Sequence, residues 1–355
     1  MAGSVHTYAF INAKLRARIS KLMPDSFFER IGAARSLSEA LALLKETPYL
    51  IVSDIYEKTG DLKLGELELF RREVELYREL EKHLKGDLLD FLHALAVRFE
   101  IDIVKNALRL FFDRKVRGRS IDAAVHYLYR DPILHDFSVD AVINAEGVGE
   151  VVNALGETPY GSIVEENRSA VEAERTLFKL EVELDRFYYR GLLQAAKKLD
   201  LPDQRVALRL IGVEIDLLNL GWVLRFKSYS DMQAEKVLSL LIPGGHGLKQ
   251  ETLREAYVTQ NVGETLQKMV HSSYAGLSSL LGTHVSDGAS RLRLIERILE
   301  AIMRLEVQRM LMGNPFSIGI MLAYFTLKRN ELKTVRTLLN AKQYMLSEDK
   351  VRELI

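Results

Sequence analysis

The chain has 355 residues, 48% of them apolar and 28% charged, and its 49 basic residues are balanced by 49 acidic ones. A net charge of zero excludes a protein that grips nucleic acid or anionic lipid over its whole surface. With no cysteine there is no disulfide, no thiolate metal site and no cysteine nucleophile, and the length allows two or three domains with well-buried cores.

Met1–Thr7 is short and neutral, and Lys14, Arg16, Arg18 and Lys21 follow among apolar residues, so the start does not read as a signal peptide. Leu50–Ser53 has the look of a short strand, with no second run to pair with it. Phe70, Val74, Tyr77, Leu80 and Leu84 recur at helical spacing, with Glu68/Arg72 and Glu81/Lys85 as i,i+4 pairs on the wet side. Leu177, Leu180, Leu184 and Phe187 predict a second long helix, and Ile295, Ile298, Ile302 and Leu305 a third. Gly86–Asp87, Asp200–Leu201–Pro202 and Gly313–Asn314–Pro315 punctuate the three. The apolar run Ile318–Leu327 stops at Lys328–Arg329, too short to span a bilayer. With only seven prolines and no Asn-Gly or Asp-Gly hairpin signal, the expected fold class is all-α.

Self-similarity is the most informative feature. Residues 36–52 read SLSEALALLKETPYLIV, residues 147–163 read GVGEVVNALGETPYGSI, and a third copy reads NVGETLQKMVHSSYAGL. In each, a glutamate (Glu39, Glu150, Glu264) precedes a tyrosine (Tyr49, Tyr160, Tyr274) by ten residues. A second element keeps step: Phe99–Asp102 (FEID), Val213–Asp216 (VEID) and a third copy at Glu331, so that Asp102, Asp216 and Glu331 lie 114 and 115 residues apart. The chain therefore reads as three copies of one helical unit, each large enough for its own core, arranged around a pseudo-threefold axis or strung in a row.

Asp102, Asp216 and Glu331 are expected at the start of helical stretches such as Ile101–Phe112 and Ile215–Phe226. A first-turn carboxylate faces the positive end of the helix dipole, worth about 0.3–1 kcal/mol; the functional alternative is a polar position lining a threefold cavity. Glu39, Glu150 and Glu264 follow Ser36, Gly147 and Asn261 at capping-box spacing. The Thr-Pro-Tyr steps read as helix terminators and their tyrosines as packing anchors rather than binding residues.

Active-site patterns are missing. There is no HExxH, GxxxxGK[ST] or DDxxD, and no two of the eight histidines stand at metal-ligand spacing on one helix. No catalytic, cofactor-binding or metal residue is assigned. His135–Asp136 is a dyad without a partner histidine nearby. Gly244–Gly245–His246–Gly247 superficially suggests a phosphate cradle, but it follows a helix rather than a strand and reads as a flexible helix–helix loop. Trp222 reads as core.

These repeated elements resemble a known family. Residues 8–22 (YAFINAKLRARISKL) followed by SLSEALALLKETPY, then EIDLLNLGWVLRFKSY at 214–229, LIPGGHGL at 241–248 and NPFSIGIMLAYFTLKRNELKTVRTLLNAK at 314–342 look like the C subunit of the archaeal and bacterial A/V-type ATPases, the counterpart of the d subunit of the vacuolar proton pump. The family's acid-x-x-Asn step is kept only as Asp216/Asn219; Lys105, with Asn106 beside it, and Thr334 stand at the asparagine position of the other copies. The resemblance implies three similar helical subdomains in a pseudo-threefold funnel, with approximate bounds 1–60 plus 292–355, 61–173 and 174–291. It implies a non-catalytic rotor adaptor for ion transport, peripheral on the cytoplasmic face of the membrane. Its socket would take the central-stalk subunits D and F and rest on the ring of c/K subunits, with no cofactor, small-molecule substrate or nucleic acid. Arg98, Asp102, Asp216, Arg225, Arg329 and Glu331 are the candidate socket residues. The rival reading is a generic all-α repeat scaffold for another cytosolic partner, and a third is an all-α enzyme with a cryptic carboxylate site.

Overall fold

A computed structural model describes residues 2–229, 233–259, 288–347 and 350–351. Every regular element among them is a helix: α1 (Ala2–Ile19), α2 (Asp25–Ala33), α3 (Leu37–Leu44), α4 (Leu50–Thr59), α5 (Leu62–Glu81), α6 (Asp87–Lys115), α7 (Asp122–Val125), α8 (Val139–Asn144), α9 (Val148–Ala154), α10 (Pro159–Glu166), α11 (Arg168–Glu172), α12 (Phe178–Ala196), α13 (Leu201–Tyr229), α14 (Ala234–Leu240), α15 (Gln250–Thr259), α16 (Gly288–Leu311) and α17 (Gly319–Gln343). The all-α expectation holds over these residues.

The repeat is visible as alternation of long and short elements. Long pairs α5–α6, α12–α13 and α16–α17 recur, and short pairs α3–α4 and α9–α10 carry the Thr-Pro-Tyr motif. Leu50–Ser53 is helical, not a strand: Val52 and Ser53 are buried in the first turn of α4, which Gly60 ends in the left-handed conformation at φ 68°. Ser36 caps α3 by accepting from the Glu39 N–H at 3.2 Å, and the Glu39 carboxylate takes the Arg35 N–H at 2.8 Å. Glu150 closes on the Glu146 N–H at 2.8 Å in the same way. The third member, Glu264, lies outside the described residues.

The Thr-Pro-Tyr step joins two helices and starts the second. Thr158 is the N-cap of α10 with Pro159 in the first turn, where the missing N–H of proline costs nothing. Its hydroxyl donates to the Leu155 carbonyl at 2.7 Å and accepts from the Tyr160 N–H at 3.2 Å. Thr47 repeats both bonds, to Leu44 at 2.7 Å and from Tyr49 at 3.1 Å. One hydroxyl thus satisfies the end of one helix and the start of the next, which explains the identity of the motif in two copies.

The chain divides into two compact units, residues 1–180 with 323–355, and residues 181–322. In the first, Phe27, Ile31, Leu41, Leu44 and Val52 from α2–α4 share one core with Leu332, Val335, Leu338 and Leu339 of α17. The Lys342 ammonium donates to the Gly32 carbonyl at 2.6 Å. In the earlier repeat Arg114, at the end of α6, donates to the carbonyls of Ile143 and Ala145 at 3.2 and 2.5 Å. The first short helices therefore bear the same relation to α17 that α8–α10 bear to α6. The second unit is centred on Val213, Leu220 and Val223 of α13 with Val237, Leu240, Leu253, Ile298 and Ile302.

α1 is tied to α5 through Glu79, which pairs with Lys14 and with Arg18, the latter at 2.5 Å. The Lys14 hydrogen bond first, and then Arg18, hold the Glu79 carboxyl below its usual range against partial burial. A lowered folded-state pKa gives stability that is present above the unfolded value and fades as pH falls through the folded one. The protection of residues 2–19 against hydrogen exchange, relative to the intrinsic rate at each pH, is therefore expected to fall as pH drops through the carboxylate range, and Glu79→Gln to show the lower protection at all pH values. Equal pH dependence in the two proteins would count against this tie.

Candidate functional site

The polar features that recur are buried carboxylates half-way along the second long helix of each repeat. In α6 it is Glu100, only 1% exposed. Its Oε1 accepts the N–H groups of Leu134 and His135 at 2.7 and 2.6 Å, and its Oε2 accepts the Tyr160 hydroxyl at 2.6 Å. The His135 Nδ1 lies 2.7 Å from the same Oε2, and its ring sits edge-on to Tyr160. Burial, reinforced by the neighbouring Glu100, pushes the Tyr160 hydroxyl far above its usual range, so it stays a donor at every working pH.

In α17 the carboxylate is Glu331, which takes the Tyr49 hydroxyl. Lys328, one turn earlier, lies over the Tyr49 ring at 4.5 Å, donates to the hydroxyl at 2.7 Å and reaches Glu331 at 3.5 Å. Burial lowers the Lys328 pKa, with Glu331 opposing. Here a side-chain cation stands where α6 uses two loop N–H groups.

In α13 the carboxylate is Asp216, also 1% exposed. Its Oδ2 accepts three consecutive N–H groups, from His246, Gly247 and Leu248 at 3.0, 2.6 and 3.3 Å. One turn on, the Asn219 amide brackets Ile242, accepting its N–H and donating to its carbonyl, both at 2.8 Å. Burial pushes the Asp216 carboxyl up while the loop N–H groups pull it back. The Gly-Gly-His-Gly segment is therefore an anion cradle whose anion is the chain's own aspartate, and it is held rather than loose. Gly245 is required by close approach, since a Cβ there would lie 2.0 Å from the Asp216 Oδ1, and so is Gly212 of α13, whose Cβ would meet His246 of the loop at 2.9 Å. Tyr274 falls 58 residues after Asp216, as Tyr160 falls 60 after Glu100, and lies outside the described residues.

Asp216 and Glu331 are thus turned inward with partners in their own unit, in the middle of long helices and not in a first turn where the dipole argument applies. Asp102 is also mid-helix, but exposed. It stands two residues from Glu100, about 200° around the helix, so the FEID/VEID match pairs the wrong acids: Glu100 plays in α6 the part of Asp216 in α13. Arg98 and Arg329 are part-buried on α6 and α17, and the Arg225 side chain lies outside the described residues. Sequence reasoning missed Glu100; the available signal was a proline-bearing connection, at Pro132 and Pro243, about 30 residues after each acid.

These carboxylates organise backbone. A cavity of about 140 Å³ in the second unit lies beside another such group, Glu306, which both Arg209 (2.8 Å, twice) and Arg309 (2.6 Å) clamp. Tyr160→Phe removes one donor to a buried carboxylate, and the expected loss is about 1–3 kcal/mol, read from the urea midpoint. A change under about 0.5 kcal/mol would show the hydroxyl to be idle.

The family model described as ATP synthase (C/AC39) subunit matches residues 11–354, a span that contains all three carboxylates and both described tyrosines. The chain belongs to the ATP synthase C/AC39 subunit family. It is 26% identical to the A-type ATP synthase C subunit of Methanosarcina acetivorans over 350 residues, covering 98% of this chain and 92% of that one. It is 23% identical to the corresponding protein of Methanothermobacter thermautotrophicus over 337 residues, 95% and 84% of the two chains, and 24% identical to that of Thermococcus kodakarensis over 350 residues, 98% and 90%. As a C/AC39 chain it has, among the described residues, no helix long and apolar enough to cross a membrane.

Proposed function

We propose that this C/AC39 chain is the non-catalytic adaptor of a rotary A/V-type ATPase, a socket that takes the foot of the central stalk, subunits D and F, and rests on the cytoplasmic side of the membrane ring of c/K subunits. The observation that carries the reading is a family match running from residue 11 to residue 354, with the helical repeat inside it. Three subdomains in a funnel, near residues 1–60 with 292–355, 61–173 and 174–291, are the arrangement we propose for the repeat.

The buried carboxylates suit the task. A body that carries torque between two machines must not yield at its joints, and an acid bonded to a loop or tyrosine from a neighbouring element resists sliding more strongly than apolar contact alone. Among the six candidate residues, Arg98, Asp102 and Arg329 meet the stalk in this proposal, while Asp216 and Glu331 brace the helices behind. Arg225 is retained as a further contact. A polar contact of this kind weakens with ionic strength.

The test is a tagged pull-down from gently solubilised membranes at low salt, with partners identified by mass spectrometry. Recovery of stalk and ring subunits is the expected result. An unrelated soluble partner, with ATPase subunits present in the preparation but absent from the eluate, would leave only a helical scaffold.

A further inference from the structure

The cavity of about 140 Å³ beside Glu306 is formed by three pieces of the second unit. The start of α13 supplies Val206 and Leu210, the end of α16 supplies Met310, and the third wall is the 313–319 connection into α17. Polar bonds brace these walls. The Ile318 N–H donates to the Asp203 Oδ1 at 2.9 Å, which pins the connection to α13. Buried Glu306 ties α16 to α13 through Arg209. A recess braced in this way is preformed, as small-molecule sites usually are.

Its size and lining restrict the guest. An apolar cavity of about 150 Å³ accepts a benzene-sized molecule, so the body of the guest is a phenyl ring or a short aliphatic chain. Leu201, Met312 and Phe316 are exposed, and each is the chain neighbour of a lining residue, so apolar surface continues around the recess.

The polar lining groups choose the rest. Both Glu306 oxygens are held by arginine, and the Asn314 Oδ1 accepts the Phe316 N–H at 2.9 Å. The Ser317 hydroxyl donates to the Asn314 carbonyl at 2.8 Å and accepts the Gly319 N–H at 3.3 Å. Arg209 gives two nitrogens to Glu306, and its Nη1 lies 3.2 Å from the His246 Nε2. Arg309 differs: it reaches Glu306 through Nη1 and is half exposed, at 50%. Donor groups are therefore what the recess offers, from the rest of the Arg309 guanidinium and from the Asn314 amide. A guanidinium matches a carboxylate in shape and charge.

We propose that this recess is a binding site for a small carboxylate with an apolar body. The body fills the space between Val206, Leu210 and Met310, and the carboxylate accepts from Arg309 and Asn314. The site is independent of the rotor-adaptor reading, since it requires neither stalk nor ring.

The test is an NMR titration of the full chain with 3-phenylpropionate, followed on the ligand signals. The alcohol 3-phenylpropanol is the same body without the charge, and acetate is the charge without the body. The acid is expected to bind saturably at millimolar concentration or below, the alcohol about tenfold more weakly, and acetate not at all. Val206→Phe puts a ring into the recess and should weaken both phenyl probes about tenfold or more. Arg309→Gln should bring the acid down to the level of the alcohol and leave the alcohol unchanged. Arg209 still holds Glu306 in that second variant, so it tests the site even where Val206→Phe does not fold. In the wild type, bound acid should raise hydrogen-exchange protection across residues 313–319. No saturable binding of the acid, binding equal for acid and alcohol, or binding that leaves 313–319 unprotected would each overturn the site. Binding of the acid unchanged by Arg309→Gln, or by a folded Val206→Phe, does so as well.

Discussion

Glu100→Ala is expected to destabilise the first unit by about 3–5 kcal/mol, while Asp102→Ala, two residues away on the same helix, costs under about 1 kcal/mol. The alanine at position 100 leaves two loop N–H groups, the Tyr160 hydroxyl and the His135 Nδ1 without their common buried acceptor. Glu100→Gln keeps the shape and one acceptor oxygen but points an NH2 at one set of donors, so it falls between. Urea unfolding of the three variants, followed by far-UV circular dichroism, measures the order. Similar losses at positions 100 and 102 would mean that the buried acid is no more structural than the exposed one, and would remove the ground for giving Glu100 the part of Asp216.

The second large effect belongs to the loop around Asp216. Gly245→Ala places a methyl where the Asp216 Oδ1 already lies, at 2.0 Å, with the carboxyl carbon at 3.0 Å. The aspartate has little room to retreat, being buried in α13, so the loop must lift and its three N–H bonds lengthen together. The expected loss is about 2–4 kcal/mol. Gly247→Ala, whose Cβ would stand 3.7 Å from the Asp216 Oδ2, is an ordinary contact and should cost under about 1 kcal/mol. Asp216→Asn relieves the charge but not the crowding, so in the Gly245→Ala background it should restore only part of the loss. Differential hydrogen exchange at residues 246–248 distinguishes a lifted loop from global loss of stability. Protection there unchanged by Gly245→Ala would refute the cradle.

Much of this was legible in the amino-acid order, and the failures have physical causes. The long helices were marked by apolar residues at helical spacing, and their ends by Gly86, Asp200 and Gly313, because a helix packed on one side repeats its burial every three to four residues. The threefold period was carried by Tyr49 and Tyr160, which keep a bond to a buried acid, and by threonines that keep a turn. The register of the acids was not legible. In FEID and VEID the acid at the second position is buried in one copy and the acid at the fourth in the other. A tetrapeptide cannot reveal which face of a helix is covered; the neighbours that decide it, Leu134–His135 and His246–Leu248, come 30 to 35 residues later. Leu50–Ser53 misled for a similar reason. A β-branched run looks like a strand until the Thr-Pro-Tyr turn before it fixes the first helical turn.

The anion cradle of 244–248 shows the limit of motif reading. Glycines that allow backbone N–H groups to converge on a negative charge look the same in sequence whether the charge is a ligand or an aspartate of the same chain. The Asp216-x-x-Asn219 step decides between them, since acid and amide grip the same loop one turn apart.

The bond from Tyr49 to Glu331 spans 282 residues. On a ribosome adding about 5–20 residues per second, the tyrosine is made roughly 15 to 55 s before the glutamate that buries its hydroxyl. For that interval the nascent chain carries α2–α4 with the apolar side that α17 will cover still bare, while the equivalent surface of α8–α10 already has α6 to pack against. The first helices to be made are thus among the last to be finished, and any stall in translation before residue 331 leaves them as a lasting target for chaperones.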